Sequence, residues 1–171
     1  MSKYLNQFAI LYVNLPEGIH NFDYEITDLF FDNFEFSEIK KGKINVQVKL
    51  ERQTSMLILD FNISGSVTGE CDICLDELEI PVESSNTLFV KFGDDYIEET
   101  EESIIIPLKS NEINVAQYIY EYIHLALPIK RVHPLNDKGE STCNPLMIQR
   151  LNELKSKSSN NNTWDVLKNL K

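Results

Sequence analysis

Hydrophobic and polar residues alternate strictly along two neighbouring stretches of the chain. Residues 43–50 place Ile, Val, Val and Leu at every second position, and residues 57–63 repeat the pattern with Leu, Leu, Phe and Ile. A period of two puts one row of side chains on a buried face of a sheet and the other row in water. The connection, residues 51–55, is short and polar, so we predict an antiparallel hairpin.

The pattern predicts further strands after the hairpin, at residues 78–82, 87–92 and 103–106. The polar residues 83–86 connect the first two of these strands. Pro107 follows the third strand and would end it. These segments extend the predicted sheet well beyond the hairpin.

Two strands and a short aromatic helix are predicted before the hairpin. Residues 8–24 indicate two strands separated by the turn-forming segment Pro16-Glu-Gly18. Thr27 is a plausible N-cap for a helix over residues 28–34. We expect its apolar side chains to cover one face of the sheet, namely Leu29, Phe30 and Phe34.

The period changes to about 3.6 residues at Asn114, which marks the start of the best helical pattern. Apolar residues recur at helical spacing from Val115 to Ala126, Gln117 stands where a capping box would place it, and Pro128 ends the pattern. A shorter helix is predicted over residues 145–155. We therefore expect an α+β fold: a mainly antiparallel sheet in the N-terminal two thirds, with a barrel-like sheet as one possible form, and helices toward the C-terminus.

The pattern at the C-terminus predicts a short separate helix that a polar linker joins to the main domain. We assign a single α+β domain to residues 1–155, a polar linker to 156–162 and a short amphipathic helix to 163–171. Three residues at positions i, i+3 and i+6 form an apolar stripe on that helix: Trp164, Leu167 and Leu170. Such a tethered stripe is a candidate partner-binding element.

Composition and charge narrow the possible functions. The chain has 171 residues, of which 42% are apolar, enough for one domain with a real core. Its formal charge of −11 disfavours a surface that holds nucleic acid, because such surfaces need clustered Lys and Arg. The first residues carry no basic segment followed by an apolar run, so we expect a cytoplasmic protein without membrane association.

Much of the acidic charge is concentrated in residues 94–102, called the acidic segment below. Its carboxylates are Asp94, Asp95, Glu98, Glu99, Glu101 and Glu102, and it contains no Lys or Arg. One interpretation is a solvated loop. The other is an electrostatic docking site for a basic partner, such as a tail of a ribosomal protein.

The candidate chemistry lies in the thiols Cys71 and Cys74, which form a CxxC motif after the second hairpin strand. Cys143 and His133 are the remaining residues that we place with them, as a candidate zinc site with Cys71 and Cys74. Two alternatives stay open. The motif is either a structural turn without metal, or a redox dithiol, although such dithiols usually lie at a helix N-terminus.

Other motifs typical of enzymes are absent from the sequence. There is no glycine-rich phosphate loop, no nucleophile elbow and no His-x-x-x-His pair. His20 and His124 are interpreted as surface or packing residues. We therefore predict a protein that is not an enzyme, with a thiol or metal-dependent enzyme using Cys71 and Cys74 as the alternative.

The order of these features resembles the YceD-like family, the large ribosomal RNA subunit accumulation proteins. The resemblance covers most of the chain, and the joint order of its pieces is specific. The matching pieces are Gly69-Glu-Cys71-Asp-Ile-Cys74-Leu75, the strand with Pro81, the acidic segment, Glu112-Ile-Asn114 and Tyr120-Glu-Tyr-Ile-His-Leu-Ala-Leu-Pro128. The segments Leu15-Pro-Glu-Gly18, Phe22-Asp-Tyr-Glu25 and Trp164-Asp-Val-Leu-Lys168 look like the Bacteroidetes-type branch.

The resemblance implies a non-enzymatic role in accumulation of large-subunit ribosomal RNA, and hence in ribosome assembly. Its partner would be a basic ribosomal protein or the pre-ribosomal large subunit, which suits an acidic chain better than direct RNA binding does. Many relatives carry a cysteine-rich half-site after the Leu-Pro element, whereas this chain has His133 and Cys143 there.

Overall fold

The computed structural model describes residues 3–158, with side chains for residues 3–154. The β-strands are β1 (Ala9–Ile10), β2 (Gly18–Ile26), β3 (Lys41–Arg52), β4 (Met56–Glu70), β5 (Glu77–Gly93), β6 (Ile97–Thr100), β7 (Ser103–Pro107) and β8 (Ile113–Asn114). The α-helices are α1 (Asp28–Phe31), α2 (Ala116–Leu125) and α3 (Pro145–Ser158), and 3₁₀ helices span Lys3–Phe8 and Tyr12–Asn14.

These elements divide into two compact units. The first, called the sheet unit, runs to Gly69 and resumes over Glu79–Ile129. The second, called the cysteine unit, comprises Glu70–Leu78 and the chain from Lys130 onward. The predicted single domain over residues 1–155 stays a prediction.

A mainly antiparallel sheet in the order β2-β3-β4-β5-β7-β6 builds the sheet unit. β3 pairs with its neighbours β2 and β4 in antiparallel register, for example Val48 opposite Phe61. β5 pairs with β7 in parallel, and β6 returns along the outside of β7 as the edge strand. Together with the helices this confirms the predicted α+β class, with an open sheet ending at β2 and β6.

The core follows the alternation that the sequence shows. Side chains at every second position of β3 and β4 are fully buried: Ile44, Val46, Val48, Leu50, Leu57, Leu59, Phe61 and Ile63. α2 buries Ile119 and Ile123, and the ring of Tyr122 meets Phe61 edge-on at 5.1 Å between centroids. Aromatic edge-to-face contacts add to the apolar burial that fixes this helix.

The predicted break between two strands at residues 83–86 is wrong, because β5 continues through these residues as one strand. Its polar side chains bond to polar side chains of β4. Ser85 Oγ donates to Asn62 Oδ1 at 3.1 Å, and Thr87 Oγ1 donates to Asp60 Oδ1 at 2.8 Å. Pairing with a neighbouring strand therefore overrides the local turn preference of Ser and Asn.

Two predictions about the N-terminal region need correction. Residues 8–24 contain the two-residue strand β1 and a 3₁₀ turn before β2, and β1 pairs with β8. In α1, Phe30 and Phe31 are buried, whereas Leu29 is 62% exposed. The helix is only one turn long. Its two adjacent residues Phe30 and Phe31 are therefore buried together, while Leu29 faces solvent.

Helix α3 begins at Pro145, as predicted, and its backbone continues to Ser158, into the segment predicted as a linker. The predicted C-terminal helix with Trp164, Leu167 and Leu170 lies outside the described residues. Within residues 3–158, no helix combines the length and apolar character that crossing a membrane requires.

Candidate metal centre

The CxxC motif forms a tight turn in the connection between β4 and β5. The Leu75 backbone N–H donates to Cys71 O at 2.9 Å, and Cys71 N–H donates to Asp76 O at 2.9 Å. Leu75 adopts a φ of 63°, in the left-handed region. This turn directs the side chains of Cys71 and Cys74 into the interior of the cysteine unit, where they are 0% and 2% exposed.

Polar contacts attach the later part of the cysteine unit to this turn. Asp72 N–H donates to Arg131 O at 2.7 Å, and Arg131 N–H donates to the Asp72 carboxylate at 2.6 Å. Asn144 Nδ2 donates to Asp76 Oδ2 at 3.1 Å, one residue after Cys143. These contacts fix both ends of the segment that carries His133 and Cys143.

Four potential ligand atoms converge at this point. Sγ of Cys71, Cys74 and Cys143 and one ring nitrogen of His133 all lie within 4.8 Å of one another. The Cys71 and Cys143 sulfurs are 3.7 Å apart, and His133 Nδ1 is 3.4 Å from Cys74 Sγ and 3.8 Å from Cys143 Sγ. The predicted set of four residues is therefore assembled in space.

The three distances of 3.4 to 3.8 Å are close to the edges of a zinc tetrahedron. Zn–S bonds of about 2.3 Å and Zn–N bonds of about 2.05 Å at tetrahedral angles separate two sulfurs by about 3.8 Å and a sulfur from a nitrogen by about 3.6 Å. A disulfide would instead bring two sulfurs to about 2.05 Å, and all three cysteines are free. The donor set of three thiols and one imidazole is typical of structural zinc sites.

The orientation of His133 prepares Nδ1 as a ligand. Its other ring nitrogen, Nε2, lies 3.2 Å from Glu77 O. A carbonyl oxygen only accepts, so Nε2 carries the proton and Nδ1 presents a lone pair to the sulfurs. Such an outer contact commonly holds metal-binding histidines in one tautomer.

The electrostatic environment shifts the pKa values of Cys71 and Cys143 in opposite directions. Burial raises the pKa of Cys71, but hydrogen bonds from the backbone N–H groups of Cys74, Ile73 and His133 outweigh it and lower that pKa to about 6. A hydrogen bond with Ser141 lowers the pKa of Cys143, whereas burial and the neighbouring Cys71 and Cys74 sulfurs raise it above its usual value. The turn thus stabilises one thiolate, the form of cysteine that binds metal.

An apolar shell surrounds the three sulfurs. The thiols are at most 4% exposed and are covered by Ile73, Leu78, Val132, Met147 and Ile148. A shell of this kind limits the access of water and oxidants to the sulfurs. The arrangement is suited to holding an ion in place rather than to exchanging large substrates.

The acidic segment lies elsewhere, in the sheet unit, and all nine of its residues are exposed. It includes the edge strand β6 and the turn into β7. Glu99 forms an ion pair with Lys91 at 2.7 Å, and hydrogen bonds from Lys91 and Ser103 lower the pKa of Glu99. The segment is thus partly an ordered strand, and its role in binding a partner stays a prediction.

Sequence reasoning missed the residues that support the ligands. Asp72, Asp76 and the Glu77 carbonyl hold the site through contacts that no motif encodes. The acidic residues inside and beside the CxxC motif were visible in the sequence. Their partners lie more than fifty positions away and could not be identified without the fold.

Comparison with known proteins places these features in a family. The sequence model described as "Large ribosomal RNA subunit accumulation protein YceD" matches residues 59–171, about two thirds of the chain. The matched region starts within β4 and includes every residue of the candidate metal centre. Neither the curated proteins nor the solved structures yielded a match to this chain.

Proposed function

Because the chain belongs to the family of large ribosomal RNA subunit accumulation proteins, we propose that it acts as a non-enzymatic assembly factor for the large ribosomal subunit. Its contact would be with a basic ribosomal protein rather than with RNA. The surplus of acidic residues supports this choice, since a net charge of −11 attracts a cationic protein and repels phosphate. We expect an assembly factor of this kind to work in the cytoplasm.

The proposal assigns a structural role to the metal centre. Zinc held by Cys71, Cys74, His133 and Cys143 would tie the turn after β4 to the segment that begins at Lys130. Metal binding of this kind contributes directly to folding, because the ligands are dispersed in the unfolded chain. The convergence of the four ligand atoms within 4.8 Å is the observation that carries this role.

A thiol-dependent enzyme is the second candidate. A recess of about 570 Å³ beside Cys143, lined also by Gln149, Asn152 and Glu153, would admit a small substrate next to this thiol. The lowered pKa of Cys71 would suit a nucleophile. Against this, the Cys71 sulfur is fully buried and faces the other candidate metal ligands.

Cells that lack the protein test the assembly role. We expect them to contain less large-subunit than small-subunit ribosomal RNA, and the full-length chain to restore the ratio. Affinity purification with RNase treatment should then recover a basic protein of the large subunit. A normal ratio of the two RNAs in the depleted cells would contradict the proposal.

Elemental analysis tests the metal centre. Protein purified without chelator should contain about one zinc per chain. Cys143→Ser should reduce this content more than His133→Ala, while His20→Ala, in β2 of the sheet unit, serves as the matched control and should leave it unchanged. Protein with three reduced thiols and no metal would contradict the zinc site.

A further inference from the structure

A groove in the sheet unit combines an apolar floor with an acidic rim. It has a volume of about 930 Å³ and lies between the strands β6 and β7 and the helix α2. Ile104, Ile106 and Ile113 form part of its lining and are at most 6% exposed. This size is within the range of pockets that bury a ligand or several side chains of a peptide.

The charge of the groove has one sign. Glu98 and Glu101 come from the acidic segment, Glu112 precedes β8, and Glu121 projects from α2. The lining contains these four glutamates and no Lys or Arg. Folding therefore adds two distant carboxylates to the charge that the acidic segment already carries.

Tyrosines line the groove next to these carboxylates. Tyr96 is 54% exposed, donates to Glu98 Oε1 at 3.0 Å and lies 3.4 Å from the Tyr118 hydroxyl. Burial, followed by the nearby charges of Glu121 and Glu102, raises the pKa of Tyr122 to about 12. Aromatic faces beside carboxylates favour cations with an apolar stem, as in the side chains of Lys and Arg.

A buried nitrogen in the groove lining lacks a hydrogen bond. His124 Nδ1 donates to Tyr120 O at 2.8 Å, so the neutral ring has an acceptor at Nε2. Nε2 is buried and has no partner among the described residues. The atom is covered by protein, so a ligand in the groove reaches it only after neighbouring side chains move.

The edge of the sheet adjoins the groove. β6 is the last strand in the sheet order, and its four residues are all exposed. An exposed edge strand offers backbone N–H and C=O groups to an extended peptide. A peptide can therefore bond to the edge and place side chains in the groove.

We propose that this groove binds a peptide segment rich in lysine and arginine that carries bulky apolar side chains. The occupant is part of the basic ribosomal protein, so the inference rests on the proposed function and names the surface that performs it. Basic side chains pair with the glutamates of the rim, and the apolar side chain occupies the floor. RNA is disfavoured because its phosphates would meet four carboxylates.

The binding test uses the full chain and a fluorescent synthetic peptide of ten residues in which Lys and Arg alternate with Phe and Leu. Fluorescence anisotropy should show binding by the unaltered protein that weakens at high salt. The double variant Glu112→Gln with Glu121→Gln should lose at least about tenfold in affinity, since two charges at the site are removed. Tyr96→Ala should also weaken binding.

The matched control is Asp23→Asn with Glu25→Gln, two exposed residues of β2 that do not line the groove. It changes the net charge equally and should alter the affinity less than about twofold. An equal loss of affinity in both double variants would overturn the proposed binding at the groove, because attraction by net charge would then be sufficient to explain peptide binding. Equal affinity for a peptide in which Ser replaces Phe and Leu would overturn the role of the apolar floor.

A second measurement separates this inference from the proposed function. The two double variants and the unaltered protein are compared for recovery of the ribosomal protein after RNase treatment. If the Glu112→Gln with Glu121→Gln variant still recovers the ribosomal protein, the assembly role is retained and the proposed binding at the groove is overturned. Peptide binding that depends on the groove, without recovery of a ribosomal protein, retains the groove and overturns the assembly role. Tight binding of single-stranded RNA to the groove would contradict both.

Discussion

At the scale of single residues, Leu75 shows how the turn of the CxxC motif imposes a backbone conformation. Its φ of 63° costs an L-residue roughly 1–2 kcal/mol relative to right-handed conformations. The side chain is 63% exposed, so little apolar burial compensates for that cost. The turn is stabilised instead by hydrogen bonds of the Leu75 and Cys71 N–H groups. A leucine at this position gives no sign in the sequence of a left-handed residue.

We predict that Leu75→Gly will stabilise the turn by up to about 1 kcal/mol, because glycine removes the steric cost and loses somewhat more entropy on folding. Leu75→Val should destabilise it by about 1 kcal/mol, since β-branched residues tolerate positive φ least. Hydrogen exchange at the Cys71 and Leu75 amides measures the local opening free energy. Equal protection in the two variants would contradict the argument.

Gly65 illustrates a requirement for space. A Cβ there would lie 2.3 Å from Lys43 O and 2.6 Å from Ile44 Cα, both backbone atoms of the paired strand β3. We predict that Gly65→Ala lowers the free energy of unfolding by about 1–3 kcal/mol more than Gly18→Ala, because strands must separate to admit the methyl group. Gly18 is the control, with a positive φ and nothing within 4 Å of its Cβ position. Urea denaturation gives both values, and similar losses would contradict the prediction.

At the scale of elements, the hydrophobic period predicted those strands and helices that bury one regular face. The hairpin of β3 and β4 and the helix α2 were predictable because each buries one regular face. The continuous strand β5 was not, since its Ser and Asn residues favour turns locally and are stabilised in the strand by contacts with β4. The two-residue strands β1 and β8 depend on pairing across more than one hundred positions.

The packing of α2 yields a prediction about its two faces. Ile119 is fully buried, whereas Leu125 is 78% exposed. Ile119→Ala should lower the free energy of unfolding by about 2–5 kcal/mol through lost burial and a residual cavity. Leu125→Ala is the matched control and should change it by less than about 0.5 kcal/mol. Urea denaturation followed by circular dichroism measures both, and a small effect of Ile119→Ala would mean that the helix is loosely packed.

At the scale of the whole molecule, the residue types of the candidate metal site were visible in the sequence, but their convergence in space was not. The CxxC spacing indicates two convergent thiols, but Cys143 follows Cys71 by 72 positions. Only the fold brings the two together and orients His133 through the Glu77 carbonyl. The same holds for the acidic groove, in which Glu112 and Glu121 join an acidic segment that is separate in the sequence. Long-range pairing of this kind leaves no periodic signal.

The proposed zinc site and the division into units together predict a localised response to metal removal. The four candidate ligands all belong to the cysteine unit, whereas the buried residues of β3 and β4 belong to the sheet unit. After treatment with a chelator, amides in residues 71–78 and 130–145 should exchange at least about tenfold faster, because the ligands no longer hold them. Amides of the hairpin should keep their protection. Cys143→Ser protein should show the fast pattern before treatment and change little afterwards. Unchanged exchange in protein that has lost its metal would mean that hydrogen bonds and apolar packing alone maintain the unit, as in a structural turn without metal.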